Sequence, residues 1–240
     1  TEQREEFKKN LDAYETLYAA KIDEPRFSAW NQLARDQIQA DKQSALSAFA
    51  ASEYAKANTK ITLATEQAMA ELQKRDAAYT NAFNEAKAAY DADNFDTAIL
   101  KIEEALRLDP GANDAQTLKQ KIDALPSVLD LINQAGIARI ENDLEKEKAL
   151  LEKVLAQAPE RTASRERLNT VTQDIKEAKL AAYISSGFKH VEKRNLKSAR
   201  ESLTHAERID RTRSETKLLR EKVTTLKKEI DVEALVQSGI

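Results

Sequence analysis

The stretch Asp93–Gly111, "DNFDTAILKIEEALRLDPG", has the pattern of one helix with a stop directly after it at Pro110. It decides the fold because two later stretches align with it. Asn142–Pro159 is "NDLEKEKALLEKVLAQAP" and Arg194–Arg211 is "RNLKSARESLTHAERIDR". Such a recurrence predicts a repeat protein, in which function is sought on a binding surface before an active site.

The three stretches share apolar and small positions at helical spacing, and they are offset by 49 and 52 residues. A small residue also lies at one register in the helix before each stretch. The middle copy departs from the others at one position, where Glu147 stands in place of Ala98 and Ala199. The pattern therefore predicts a helix–turn–helix repeat. The matched sets are Ala86, Ala135 and Gly187; Phe95, Leu144 and Leu196; Ile102, Leu151 and Leu203; and Ala105, Val154 and Ala206.

Composition predicts an all-α chain. The 240 residues include only 4 Gly and 4 Pro, whereas sheets need turns that draw on both. Charged residues make up 33% and hydrophobic residues 41%, which favours an elongated protein with a large surface. The chain has no cysteine, so disulfides and thiolate metal sites are excluded, and an oxidising compartment is compatible with this composition.

Residues 1–76 are predicted to form an N-terminal helical bundle that leads into a long alanine-rich helix. From Ser44 to Tyr90 there is neither Gly nor Pro, so either one helix runs through or it breaks near Arg75 and Asp76. An alanine-rich seam in 4-3 spacing extends from Ala50 to Ala68. The expected core of the bundle consists of seven aromatic residues: Phe7, Tyr14, Tyr18, Phe27, Trp30, Phe49 and Tyr54.

The stretch "NEAKAAYDADNFDTAILKIEEALRLDPG" resembles a tetratricopeptide repeat. It has the small residue of the first helix (Ala86), the aromatic residue before the second helix (Phe95), the two small packing positions (Ala98 and Ala105) and the closing Pro110. The units recur at 49 to 52 residues rather than about 34, with helical insertions at 113–124 and 163–179. The resemblance implies an α-solenoid over 77–240, with units at 77–125, 126–178 and 179–211 and a capping helix at 212–237.

In the family, the first helix of each unit lines a groove that binds a partner. The resemblance therefore implies a largely apolar groove for a protein or peptide, in the form of an amphipathic helix or an extended apolar segment. The alternative is that a terminal helix of this same chain fills the groove. The expected groove residues are Phe83, Lys87, Tyr90, Ile132, Gly136, Arg139, Ile184, Phe188 and Val191.

The net charge of −3 hides an asymmetry along the chain. Residues 1–160 carry 20 Lys and Arg against 29 Asp and Glu, whereas residues 161–229 carry 18 against 10. A basic patch there could attract a polyanion, but acidic residues are interleaved with it, so nucleic acid is not the expected partner. Its residues are Lys189, Lys193, Arg194, Lys197 and Arg200.

No motif for catalysis is present. The two histidines, His190 and His205, have no HxxE or HxxxH partner, and there is no Gly-rich phosphate loop. Carboxylates are scattered among lysines and arginines on helix faces, which is ordinary for exposed helices. We therefore expect no enzyme activity, no metal, no cofactor and no small-molecule substrate.

The expected function is that of a non-catalytic scaffold or spacer that binds a protein partner. The layout is similar to that of bacterial envelope proteins, so the expected location is the periplasm, with the cytoplasm as the alternative. The start at Thr1 predicts a leader or membrane anchor that has been removed, or a longer natural protein. Two rival functions are a structural rod that dimerises through the Ala50–Ala68 seam, and weak polyanion binding through residues 189–213.

Overall fold

The computed structural model describes residues 2–239, and within that range the chain is all helix and turn, with no strand. The all-α prediction is confirmed. The first helix, α1, is α-helical at Glu2–Tyr14, π-helical at Glu15–Ala19 and α-helical again at Ala20–Asp23. The others are α2 (Pro25–Ala50), α3 (Tyr54–Asp91), α4 (Phe95–Leu108), α5 (Asn113–Ile140), α6 (Leu144–Gln157), α7 (Thr162–Glu192), α8 (Leu196–Asp210) and α9 (Ser214–Gln237).

The chain divides into two compact units, the first ending at Pro126 and the second beginning at Ser127. Residue 76, where the expected N-terminal domain ends, lies inside α3, and this helix runs without a break past Arg75 and Asp76. The interruption in this part of the chain lies earlier, between Ala50 and Tyr54. Of the two alternatives for this part of the chain, the break near Arg75 and Asp76 is wrong, and the uninterrupted helix begins at Tyr54 rather than at Ser44.

Four tight turns of one kind join consecutive helices. Each contains a residue in the left-handed region, namely Ser52 (φ 63°), Asp93 (φ 59°), Asn142 (φ 58°) and Arg194 (φ 53°). In the second turn the amide of Asp93 donates to the carbonyl of Tyr90 at 3.0 Å, and the next amide donates five residues back at 2.9 Å. The other three turns repeat these bonds. This is the Schellman arrangement, which satisfies the carbonyls at the end of a helix.

Three of the four turns also cap the helix that follows. The side-chain oxygens of Asn94, Asp143 and Asn195 accept a hydrogen bond from the amide three residues later, at 3.1, 3.0 and 3.1 Å. Asn and Asp are favoured at this position because they satisfy an amide that the helix itself leaves unpaired. The sequence pattern of each turn therefore ends one helix and starts the next.

The turn at Ser52 marks a further copy of the hairpin that the sequence alignment missed. Counted from the left-handed residue, the buried small and apolar positions of α2 and α3 coincide with those of the hairpin formed by α3 and α4. Four helical hairpins are therefore present in residues 2–239. The coinciding pairs are Ala45 and Ala86, Ala57 and Ala98, Ile61 and Ile102, and Ala64 and Ala105, all of them buried.

The core of the first unit contains the alanine-rich seam. Ala57, Ile61, Ala64 and Ala68 are fully buried in one cluster with residues of α1 and α2. These residues of the seam are therefore packed inside the unit. The predicted aromatic core is also found here, since the rings of Phe7 and Phe49 stack at 4.6 Å and the remaining predicted aromatics lie in the cluster, against it or beside Phe49.

The second unit alternates short and long helices. The short helices α6 and α8 each form the second half of a hairpin, and the long helix α7 packs on the first of these hairpins and begins the second. Its first half, through Val171 and Ile175, packs against Ala135, Ala138 and Leu151. Its second half pairs with α8. The sequence predicted that an insertion would fuse with the next unit here, and the 31-residue helix α7 confirms it.

Glu147, which departs from the repeat pattern in the middle copy, is paired with Arg167, which departs from the pattern too. Glu147 is 1% exposed, and its carboxylate accepts two hydrogen bonds from Arg167 at 2.6 and 2.8 Å. Arg167 stands five residues after the start of α7, where α9 has Leu219 at the same register. An ion pair between the buried Glu147 and the half-buried Arg167 therefore replaces the pair of Ala199 and Leu219 in the next copy.

We predict that Glu147→Ala alone destabilises the protein by about 1–3 kcal/mol, because Arg167 loses its partner. The double variant E147A/R167L, which copies the pairing of the next hairpin, should lie within about 1 kcal/mol of the wild type. Urea unfolding followed by circular dichroism measures both values. Additive losses in the double variant would contradict the proposed compensation.

A second prediction concerns the turn that the sequence did not reveal. Ser52→Gly should stabilise the first unit by about 0.5–1 kcal/mol, because glycine adopts a positive φ without strain. The matched control Ser44→Gly, at an exposed position inside α2, should destabilise it by about 0.5 kcal/mol. The single tryptophan, Trp30, lies in this unit and reports its unfolding by fluorescence. Equal effects of the two glycines would contradict the left-handed turn.

Candidate protein-binding groove

The expected groove residues of the first unit differ in what they present to solvent. Phe83 is half-buried, and its ring stacks on Tyr79 with the centroids 6.1 Å apart. Lys87 is exposed and pairs with Asp91 at 3.1 Å. Tyr90 is buried in the core. Of these three positions, Lys87 offers the most surface to a partner and Tyr90 offers very little.

In the second unit, two of the expected groove residues lie under the C-terminal helix. Phe188 and Val191 are half-buried and pack against Ala199, Leu219 and Val223. Helix α9 therefore covers this part of α7, which corresponds to the alternative in which the chain fills its own groove. The remaining positions vary, since Ile132 packs against a buried cluster, while Gly136 and Arg139 are exposed.

Close packing at Gly187 explains how α9 comes so near to α7. A Cβ atom added at Gly187 would lie 2.5 Å from Cδ2 of Leu219, which is fully buried. The two earlier copies aligned at this position have Ala86 and Ala135. The glycine of the last copy is therefore matched to the leucine of α9 that packs on it.

The open surface of the second unit lies along the middle of α7. Two pockets of about 500 and about 530 Å³ adjoin there and share Ala178. We call this surface the α7 groove. It extends between the turn that precedes α6 and the turn that precedes α9, and Ile184 is the expected groove residue that it contains. Its apolar floor consists of Ile175, Ala178, Leu180, Ala181 and Ile184.

The walls of the α7 groove are charged and mostly acidic. Lys179 pairs with Glu145 at 2.8 Å, and the carboxylate of Glu145 raises the pKa of that lysine. At the other end Arg213 pairs with Glu177, which raises the pKa of the guanidinium, and lies 3.6 Å from Glu215. The lining includes five carboxylate residues and these two cations. The carboxylate residues are Glu141, Asp143, Glu145, Glu177 and Glu215.

Sequence reasoning found Ile184 but missed the alanines beside it. Ala178 and Ala181 are exposed although they lie in the middle of a long helix. Their small side chains leave room between α7 and the two turns that flank it, and this room forms the pockets. The signal in the sequence is the run "EAKLAAYISS" at 177–186. Whether its alanines form a pocket depends on the residues packed opposite them, and the alignment does not identify those residues.

The basic patch lies on the surface of the second unit. Lys189, Lys193, Lys197 and Arg200 are exposed. Arg194 is exposed too, but it pairs with two carboxylates of α9, with Glu229 at 3.3 Å and Glu233 at 2.7 Å. These acids lower the positive potential that a polyanion would meet.

The two histidines have no site around them. The ring of His205 stacks on Tyr183 at 4.8 Å, which makes it part of the packing between α7 and α8. Within residues 2–239, no group of three or more His, Cys, Asp or Glu side chains is placed to hold a metal ion. Over the same range, no helix combines the length and the apolar character needed to cross a membrane.

No protein-family model, curated protein or solved structure matches the chain. The fold therefore defines its class on its own. Residues 2–239 form a helical-repeat fold in which four hairpins share one kind of turn, and three of the four have small buried residues where their helices cross.

If α9 covers the end of α7, then Phe188 contributes to stability. We predict that Phe188→Ala lowers the free energy of unfolding by about 2 kcal/mol, because it removes a half-buried ring from the cluster with Leu219. Arg139→Ala, at an exposed position, should change it by less than about 0.5 kcal/mol. Urea denaturation measures both. A stable Phe188→Ala variant would show that the ring is available to a partner.

Proposed function

We propose that this chain is a non-catalytic scaffold and that it binds a segment of a partner protein in the α7 groove. The observation that supports this function best is the pair of adjoining pockets with a floor of alanine, leucine and isoleucine on one helix. Pockets of this size, with an apolar floor and a few polar groups at the edge, are typical of binding sites. Helical hairpins in series provide a rigid support for such a groove.

The lining indicates the chemistry of the segment. The small floor residues admit a side chain or a helix at close range, and the apolar surface favours Leu, Ile or Phe on the ligand. The excess of carboxylates on the walls favours Lys or Arg beside those apolar residues. The proposed ligand is therefore a short amphipathic segment with apolar anchors and basic flanks.

We also propose that the hairpins are divergent tetratricopeptide units. The burial of Ala86, Ala98 and Ala105 supports this, because these are the positions where the family needs small side chains for its helices to cross. The distance of 52 residues between the turns at Asn142 and Arg194 remains a departure from the family. The location in the bacterial envelope stays a prediction, and fractionation of cells that express the full-length protein would test it.

Two rival functions have less support. The seam at Ala50–Ala68 is largely buried inside the first unit, so dimerisation through it would require that unit to open. The basic patch is exposed, but Arg194 is already paired with Glu229 and Glu233. The α7 groove is open and has an apolar floor, which gives it more support as a binding surface.

We predict that a photo-crosslinking amino acid at Ala181 captures a partner protein from bacterial lysate or envelope extract, and that the same amino acid at Ala156 does not. Both alanines are exposed, and Ala156 lies on α6, outside the lining of the groove. The double variant A178R/A181R should reduce capture from the wild-type chain by at least about tenfold, because it fills the floor and repels basic flanks.

The control for charge and folding is Ala156→Arg, which should retain capture. Circular dichroism establishes that each variant keeps its helix content. The proposal fails if the arginines in the groove leave capture unchanged, or if the crosslinker at Ala156 captures the same protein equally well.

A further inference from the structure

Gln67 in α3 is a departure from the repeat that no other residue compensates. Counted from the left-handed residue of each turn, it corresponds to Leu108 of the next hairpin, which is 6% exposed. The Oε1 atom of Gln67 is buried too, and it accepts no hydrogen bond from any residue in 2–239. A buried acceptor without a donor destabilises the fold. Packing alone therefore does not account for a glutamine at a position where the repeat has a leucine.

Helix α2 is interrupted close to this part of α3. Asn31 has φ −152° and ψ 87°, which are not helical values. Its Oδ1 accepts a hydrogen bond from the amide of Ala34 at 3.1 Å, and its Nδ2 donates to Oε2 of Glu71 at 3.0 Å. At the same register of the next hairpin, Leu72 lies in an uninterrupted helix. The kink at Asn31 is therefore a second departure from the repeat, and it is bonded to Glu71.

A pocket of about 260 Å³ lies beside the kink, between α2 and α3. We call it the α2–α3 pocket. Two alanines give it apolar surface, and its other residues are polar. Pockets for drug-sized ligands begin at about 300 Å³, so this one suits a smaller ligand or a single side chain. Its lining consists of Ala34, Gln37, Gln67, Ala70, Glu71 and Lys74.

The polar groups of the pocket are mostly hydrogen-bond acceptors. Gln37 donates its amide to Asp41 at 2.8 Å, which leaves its carbonyl oxygen as an acceptor. Gln67 adds the buried Oε1, and the terminal amide of a glutamine turns easily about its last side-chain bond. Glu71 adds a carboxylate. An excess of acceptors indicates that the ligand is a hydrogen-bond donor.

The contacts of Glu71 narrow down the kind of donor. Its Oε1 accepts a bond from the ammonium of Lys74 at 2.6 Å, and its Oε2 accepts the bond from Asn31. These bonds lower the pKa of Glu71, so the carboxylate is charged at neutral pH. A carboxylate has about four acceptor positions, so it can bind a further ammonium group. Bidentate pairing with a guanidinium is disfavoured, because each oxygen already accepts a bond.

We infer that the α2–α3 pocket binds a primary alkylammonium group. The ammonium donates to Glu71, Gln67 and Gln37, and the alkyl chain lies against the two alanines. The side chain of Lys74 is 65% exposed, so most of it lies in solvent. Two sources supply such a group, a free amine and the lysine side chain of another protein. The pocket shares no residue with the α7 groove, so this inference goes beyond the function proposed for that groove.

The test uses two probes with the intact chain. n-Butylammonium chloride represents the free amine, and lysine blocked at both ends represents the side chain. Titration is followed through the backbone amide NMR signals of the isotope-labelled protein. A dissociation constant of about 1 mM or weaker is expected for ligands of this size. Butyrate has the opposite charge and tetramethylammonium has no N–H donor, so neither should bind saturably.

Two variants assign the binding to the pocket. Gln67→Leu, which copies Leu108, should weaken binding by at least about tenfold and raise the melting temperature, because it removes the unpaired acceptor. Glu71→Gln should also weaken binding by at least about tenfold, because a hydrogen bond to a charged acceptor is the stronger kind. The matched controls Gln73→Leu and Glu66→Gln should bind as the wild type does. Both control positions are exposed on α3 outside the lining.

The outcomes separate the alternatives. Saturable binding of n-butylammonium that both pocket variants weaken and both controls retain supports the inference. If blocked lysine binds at least as tightly, the source is a lysine side chain of another protein, and if it binds more weakly, the source is a free amine. The inference is overturned if n-butylammonium does not bind, if butyrate or tetramethylammonium binds equally well, or if the pocket variants bind as the wild type does.

Discussion

The left-handed residue in each tight turn is the constraint on which the hairpins depend. The chain can reverse between two helices within three residues only if the last carbonyls of the first helix accept hydrogen bonds. In the turn at Asp93, the carbonyls of Tyr90 and Ala89 accept bonds from the amides of Asp93 and Asn94. The reversal brings the two helices close together, and small side chains where they cross favour this short distance. This is why the buried positions of the first two hairpins, such as Ala57 and Ala98, are alanine.

Once the backbone spacing is fixed, departures from the repeat have to be compensated where the helices touch. A glutamate at the position of an alanine would leave a buried charge without a partner. Glu147 is tolerated because Arg167, at the register where the next copy has Leu219, pairs with it. In the same way, Gly187 lacks the methyl group that Ala86 and Ala135 have at this position, which leaves room for Leu219. Substitutions that have such a partner preserve the packing, so on their own they indicate no function.

The sequence predicted the parts of the fold that have a local signal. Three of the turns can be recognised in the sequence by the capping residue that begins the next helix, namely Asn94, Asp143 and Asn195. The turn at Ser52 is followed by Glu53, whose side chain makes no cap. The groove was harder to predict. The apolar pattern of α7 shows that Phe188 faces another element, but the identity of that element, α9, is a matter of tertiary packing. The exposed alanines of the α7 groove form pockets only because two turns lie beside them.

The same apolar pattern thus has two outcomes in the second unit. Tyr183 in 180–187 stacks on His205 of α8, whereas the equivalent Leu235 in 232–239 is 53% exposed, although both stretches begin at the same register of a long helix. Local preference cannot explain the difference, because the residues are nearly equivalent. The difference lies in tertiary packing, since α8 lies against Tyr183 whereas the side chain of Leu235 is largely in solvent. Apolar spacing in this repeat therefore predicts the face of a helix, whereas the burial of that face depends on the element that packs beside it.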